Sequence, residues 1–198
     1  MYRKNHKNEF YTRKSRQEGY PARSVYKLKE IDEKYRLFKK GDHVLDLGAA
    51  PGSWFLYVSK KVGKNGKVVG IDQEDIKIKK EENMVFIKRD VMELKDSEID
   101  LLKKKYQIVI SDLAPATSGI KILDTERSLE LCEKTLEIAK GVLLPKGNFV
   151  CKIFEGKEVE KFFKKIEENF ELAKRFRPKS VYKGSRELYI VAKFFKYG

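Results

Sequence analysis

Cysteine is nearly absent from the sequence: Cys132 and Cys151 are the only two. So few exclude a disulfide-built scaffold and a cysteine-based zinc cluster, and they suit a reducing compartment. Histidine is as scarce, and His6 and His43 form no ligand cluster, so the reading requires no metal. No apolar run reaches the length of a membrane span. Met1–Arg16 is polar and basic, without the hydrophobic stretch of a secretory signal. Internal repeats and Pro/Gly/Ser-rich linkers are missing too. What remains is 198 residues, 41% of them hydrophobic, which is enough for a core and excludes global disorder. One soluble, cytoplasmic domain is expected.

Charge is plentiful and unevenly placed. The chain carries a formal +14, from 44 Lys/Arg against 30 Asp/Glu. Residues 1–40 hold 13 basic and 5 acidic side chains, and residues 171–198 hold 8 and 2. The middle holds 23 of each, so the whole excess lies at the two ends. That segregation is either a pair of solvated basic tails or a polyanion-binding surface built from both termini. Tyr2, Phe10, Tyr11, Tyr20 and Tyr26 are interleaved with the N-terminal charge. Such rings serve equally as stacking faces for unpaired bases or as packing anchors.

Along the chain, residues 1–18 read as a mobile basic arm and 19–198 as one domain. A helix is expected over 21–38, with Val25, Leu28 and Ile31 on one stripe. Strands follow at 43–47, 67–71, 84–88, 107–111, 148–154, 170–177 and 187–195. Helices are expected near 53–62, 97–104, 124–141 and 157–168, and Pro145-Lys146-Gly147 reads as a break. This alternation gives a mostly parallel sheet with helices on both faces. The last two strands are joined by residues 178–186 alone, too short for a parallel crossover. The final strand must therefore run antiparallel.

The first strand ends in Asp46-Leu-Gly-Ala-Ala-Pro-Gly-Ser-Trp54. A glycine loop after the first strand of an open α/β sheet marks the ligand crevice. Asp72 closes the second strand, 20 residues beyond Gly52, a spacing that suits an acid holding ribose hydroxyls. A dinucleotide is disfavoured, because the loop is not Gly-x-Gly-x-x-Gly and Pro51 removes a backbone N–H of the kind that binds pyrophosphate. Four strands end in acids: Asp46, Asp72, Asp90 and Asp112. Such a wall repels phosphate but suits hydroxyls, an adenine amino group and a cation. S-adenosylmethionine offers all three and carries no phosphate. Trp54 reads as a core residue or as a lid beside the nucleoside.

Lys152 lies inside the apolar run Asn148-Phe-Val-Cys-Lys-Ile-Phe154. Burying a lysine is costly unless it is paired or neutral; the alternative is an edge lysine reaching for solvent. Asp112 ends the preceding strand in Ser111-Asp-Leu-Ala-Pro, and Glu187 opens the last one in Ser185-Arg-Glu-Leu-Tyr. Antiparallel placement brings Glu187 to the same edge as the other strand ends. Lys27 lies on the basic N-terminal helix, which could cover that edge.

These four motifs in order resemble the FtsJ/RrmJ family, S-adenosylmethionine-dependent RNA ribose 2′-O-methyltransferases, over about Gly19 to Phe195. The match is nearest to the compact large-subunit ribosomal RNA branch, the RlmE-like one. The resemblance implies a Rossmann-like methyltransferase fold with sheet order 3-2-1-4-5-7-6 and strand 7 antiparallel. It implies a catalytic tetrad at Lys27, Asp112, Lys152 (the proton acceptor) and Glu187. It implies cofactor contacts at Gly52, Trp54, Asp72, Asp90 and Asp112. Ser53 departs from the second glycine common in the family. The implied acceptor is RNA, a uridine of 23S-type ribosomal RNA in the large subunit; transfer RNA is the alternative substrate, and a non-catalytic RNA-binding assembly factor the alternative role. Base methylation fits poorly: Asp112-Leu-Ala-Pro lacks an aromatic platform, and Cys151 must face away from Lys152 on a strand.

Overall fold

The computed structural model describes residues 3–102, 105–182 and 184–197, with the side chains of 3–8, 100 and 101 left aside. Two helices, α1 (Arg3–Gln17) and α2 (Val25–Tyr35), precede the first strand, β1 (His43–Leu47). Then come α3 (Ser53–Val62), β2 (Lys67–Asp72), β3 (Met84–Lys88), a short 3-10 turn at Val91–Glu93, α4 (Asp96–Leu102) and β4 (Tyr106–Ser111). The chain closes with α5 (Lys121–Val142), β5 (Leu143–Phe154), α6 (Val159–Asn169), β6 (Phe170–Phe176) and β7 (Glu187–Phe195).

The strands form one sheet in the order β3-β2-β1-β4-β5-β7-β6. Pairings along it are parallel except those of β7, which is antiparallel to both β5 and β6. The order is the one the family resemblance implies, and the antiparallel direction of β7 is also the one expected from the short 178–186 connection. Because strand side chains alternate, the sheet buries two separate cores. Cys151 and Ile153 face α4, α5 and α6, whereas Val150 and Tyr189 face α2 and α3. Lys152 shares the face of Val150, so it points toward α2 and away from Cys151.

Helix α2 is shorter than the 21–38 expected. Its stripe of Val25, Leu28 and Ile31 is fully buried, and each such side chain contributes about 1.5–3 kcal/mol. An 11-residue helix needs that support, being marginal alone. It stops because Arg36 takes φ 51 and the buried Asp32 carboxylate accepts the N–H groups of Leu37 and Phe38. It starts late because residues 22–24 are pinned to α3. The Ala22 N–H donates to Ser53 Oγ at 2.8 Å, Ser53 Oγ donates back to the Ala22 carbonyl, and the Trp54 indole donates to the Ser24 carbonyl.

Strand β5 starts at Leu143 rather than 148. The expected break at Pro145-Lys146-Gly147 is instead an irregularity within the strand. Lys146 takes φ 65, and the register against β4 shifts between Tyr106 and Ile108. The basic arm is helical over Arg3–Gln17. Tyr11 packs against Tyr26 at 5.0 Å between ring centroids, and Tyr20 and Tyr26 are buried, so these three are anchors. Phe10 is exposed, and Tyr2 lies outside the described residues. No helix among the described residues is long and apolar enough to cross a membrane.

Candidate active site

The loop from β1 to α3 turns on two glycines in the left-handed region, Gly48 at φ 85 and Gly52 at φ 113. A side chain at Gly48 would meet Leu113 at 2.8 Å, and one at Gly52 would meet Ile78 at 2.8 Å, so both strain and space demand glycine. Asp72 braces the loop: one carboxylate oxygen accepts the Ala50 N–H at 2.8 Å, the other that of Glu74 at 2.9 Å. A carboxylate has about four acceptor positions, so Asp72 keeps capacity for hydroxyls. Asp90 caps the 3-10 turn through the Met92 N–H at 2.8 Å.

Asp46 is different. It is fully buried, and neither carboxylate oxygen has a partner among the described residues. Burial, and then the charges of Asp112 and Asp72, push its carboxyl well above the usual range. Buried polar atoms are nearly always satisfied, and an isolated buried carboxylate is expensive. Three converging acids with one orphan match a cationic ligand rich in donors. The ammonium and hydroxyl donors of S-adenosylmethionine, and the positive charge of its sulfonium, fit this set of acceptors. Trp54 is a core residue rather than a lid, 2% exposed, with its indole bonded to Ser24. What it has to offer a ligand is its backbone N–H in the first turn of α3.

The motif residues meet at the carboxyl edge of β4 and β5. Lys152 sits in a central strand, between β4 and β7. It is 8% exposed, so reaching for solvent is excluded. Its Nζ donates to the Asp112 backbone carbonyl and lies 3.1 Å from Asp112 Oδ1. Lys27 Nζ reaches Glu187 Oε1 at 2.5 Å. The Tyr189 hydroxyl links the two pairs, 2.7 Å from Asp112 Oδ1 and 2.7 Å from Glu187 Oε1. Burial opposes charge on Asp112, but Lys152, Lys27 and the Tyr189 hydroxyl outweigh it and hold the carboxyl below its ordinary value. Burial, then Asp112 and Glu187, push the Tyr189 phenol far up, so it stays a donor. A buried lysine, two carboxylates and a tyrosine thus form one hydrogen-bonded chain beside the glycine loop. Such a set can hold a hydroxyl and accept its proton.

Residues 20–195 match the family model described as FtsJ-like methyltransferase. The chain belongs to the FtsJ-like methyltransferase family. It is 43% identical to the ribosomal RNA large subunit methyltransferase E of Desulforapulum autotrophicum, over 96% of this chain and 93% of that protein. To the protein of the same name from Lawsonia intracellularis it is 45% identical, over 95% of each. A solved ribosomal RNA methyltransferase from Plasmodium falciparum aligns with a TM-score of 0.79 at 29% identity, covering 90% of this chain and 100% of that one.

In this FtsJ-like chain Lys27, Asp112, Lys152 and Glu187 stand together, and Asp72, Gly52 and the start of α3 frame the neighbouring loop. Two neighbours of the site gain their place only in the structure. Tyr189 lies two residues after Glu187, so period-two alternation puts both on one face. Asp46 was one of four acids, and its lack of partners is visible only once the sheet closes around it. Among the described residues no group of three or more His, Cys, Asp or Glu is placed to hold a metal.

Proposed function

We propose that this chain transfers a methyl group from S-adenosylmethionine to a ribose 2′-hydroxyl of large-subunit ribosomal RNA, at a uridine. The observation that carries the reading is the buried Lys152–Asp112 pair, joined through Tyr189 to the Lys27–Glu187 pair beside the glycine loop. Relatives named as large-subunit ribosomal RNA methyltransferases over nearly the full chain support the substrate. The reading places the protein in the cytoplasm, with its basic ends on the RNA.

Bound S-adenosylmethionine supplies an electrophilic methyl group on its sulfonium sulfur. Asp46, Asp72, Asp90, Asp112, Gly52 and the Trp54 N–H would hold it. Lys152 acts on the acceptor at Nζ. As an ammonium it has three donors, and two positions are taken by Asp112. As a neutral amine it keeps two N–H groups for Asp112 and turns a lone pair to the ribose hydroxyl, whose proton it accepts. The alternative role for the same atom is to stabilise the developing alkoxide while charged. Asp112 orients Lys152, Glu187 orients Lys27, and Lys27 positions the ribose and its phosphate.

The test is a transfer assay with methyl-labelled cofactor on unmodified ribosomal RNA, ribosomal subunits and transfer RNA, with Lys152→Ala as control. Label on a 2′-O-methylnucleoside of ribosomal RNA, absent with the variant, is the expected result. Label on transfer RNA moves the substrate, and label on a base moves the chemistry. Cofactor binding without label on any RNA makes the assembly-factor reading the correct one.

A further inference from the structure

The loop between β6 and β7 carries a half-exposed tyrosine, Tyr182, at 50% exposure. The Arg23 guanidinium lies over its ring, 3.7 Å from the centroid. Arg23 precedes Lys27 by four residues, and Tyr182 precedes Glu187 by five. The Arg23–Tyr182 contact and the Lys27–Glu187 ion pair are therefore two rungs between the same two segments, the outer rung open to solvent and the inner one in the site.

The loop holding Tyr182 is firmly tied. The Glu30 carboxylate on α2 accepts the N–H groups of Lys179 at 2.6 Å and Ser180 at 2.9 Å. Arg23 also donates to the Ser180 carbonyl at 3.1 Å, and Arg177 to the Ser185 carbonyl at 2.6 Å. Ser180 and Val181 are buried, and the Ser185 N–H closes a turn onto the Tyr182 carbonyl at 2.9 Å. Among the described residues of this loop, Tyr182 is thus exposed beside backbone at 178–181 and 185 that these bonds hold. Guanidinium stacking fixes the ring further and adds positive charge beside it.

We propose that Tyr182, backed by Arg23, is a stacking platform for an unpaired nucleobase adjacent to the nucleotide that is methylated. The proposal rests on the RNA reading above. Single-stranded RNA is held by aromatic and guanidinium planes that take a base face irrespective of its sequence. A ring pre-set one rung away from Lys27 is placed to receive the base next to the acceptor ribose. That contact lets the enzyme require an unpaired neighbour without reading its identity.

The experiment compares the full-length wild type with Tyr182→Ala, Tyr182→Leu and Tyr182→Phe. Binding is measured by fluorescence anisotropy to single-stranded and duplex RNA oligonucleotides of equal length, at one salt concentration. Methyl transfer on ribosomal RNA gives kcat and KM for the same proteins. The expected result is about tenfold weaker single-strand binding for Ala and Leu, unchanged duplex binding, and near-normal behaviour for Phe. In transfer, KM for RNA rises and kcat holds, the signature of lost uniform binding. Leu keeps apolar bulk without a π face, so a ring that only staples the loop leaves Leu like the wild type. That result overturns the platform, as does an equal loss on duplex and single strand. If the wild type itself binds no RNA, the RNA reading falls and the platform with it; wild-type binding with unaffected variants removes the platform alone.

Discussion

Lys27 and Glu187 are 160 positions apart in the chain and meet at 2.5 Å in an ion pair between α2 and the first residue of β7. Both side chains are nearly closed off from water, at 12% and 11% exposure. Removing one partner of a fully buried pair costs about 3–5 kcal/mol, chiefly because a charge is left without compensation. With this residual exposure, Lys27→Met is expected to destabilise by about 2 kcal/mol. Lys27→Met with Glu187→Gln should recover much of that loss in urea unfolding. Additive losses in the double variant would mean that the two residues act independently.

Asp46 gives the opposite expectation. Its carboxyl titrates above its unfolded value in the folded chain, so ionisation weakens folding at neutral pH and costs nothing at acid pH, where it is protonated in both states. Asp46→Asn should therefore raise the Tm of the cofactor-free protein near neutrality, by about 2–4 °C for each kcal/mol relieved. The gain should vanish as pH falls into the ordinary carboxylate range. Cofactor affinity should drop about ten- to a hundredfold, the value of one hydrogen bond to a charged group. Thermal melts across pH and calorimetry read both; a gain over the wild type no larger at pH 7 than at pH 4 contradicts the account.

Lysine and arginine at position 152 separate the two roles of that atom. A guanidinium does not give up its proton near neutrality, yet it stabilises an alkoxide. If Lys152 is the base, Lys152→Arg is as inactive as Lys152→Ala, while both bind cofactor almost normally. Substantial transfer by the arginine variant would assign the residue to electrostatic stabilisation alone.

Tyr189→Phe removes a hydroxyl that helps hold the Asp112 carboxyl down. Asp112 then protonates at higher pH, and the acid limb of the kcat–pH profile moves up. The loss in kcat at the optimum should be about tenfold, in line with one hydrogen bond to a charged group. An unmoved acid limb would show that Asp112 titration does not govern the rate.

RNA affinity should fall steeply with salt, because the positive excess lies wholly at the two ends of the chain. Each phosphate contact adds about 0.7–0.9 to the slope of log K against log salt. Exchanging Arg13 and Arg16 for glutamine should flatten that slope, and a flat response in the wild type would exclude the basic ends as the RNA surface.

The strand pattern was readable because β-branched and apolar runs are short and bounded by turn residues, as at 43–47 and 84–88. The direction of β7 followed from the shortness of the 178–186 connection. Lys152 announced itself as a charge inside an apolar run. Helix ends were less legible, since they depend on distant partners: Asp32 ends α2 by collecting N–H groups, and Ser53 and Trp54 delay its start. Helix α1 carries no apolar stripe, so its periodicity gave no signal. Glu30 bonding to residues 149 and 150 positions away has no local signature at all.

The three hydrogen bonds between residues 22–24 and Ser53–Trp54 join the segment that presents Lys27 to the start of the helix behind the glycine loop. A ligand settling on that loop and a ligand settling on Lys27 therefore press on one shared strut. Their affinities are expected to be coupled, and any such coupling is reciprocal: whatever factor one imposes on the other is returned in full. Cofactor titrations with and without RNA measure that factor, and a value of one would mean that the strut transmits nothing. A factor above one makes the protein a filter for order, since a cofactor-loaded enzyme would then hold its RNA longest at the moment when transfer can occur.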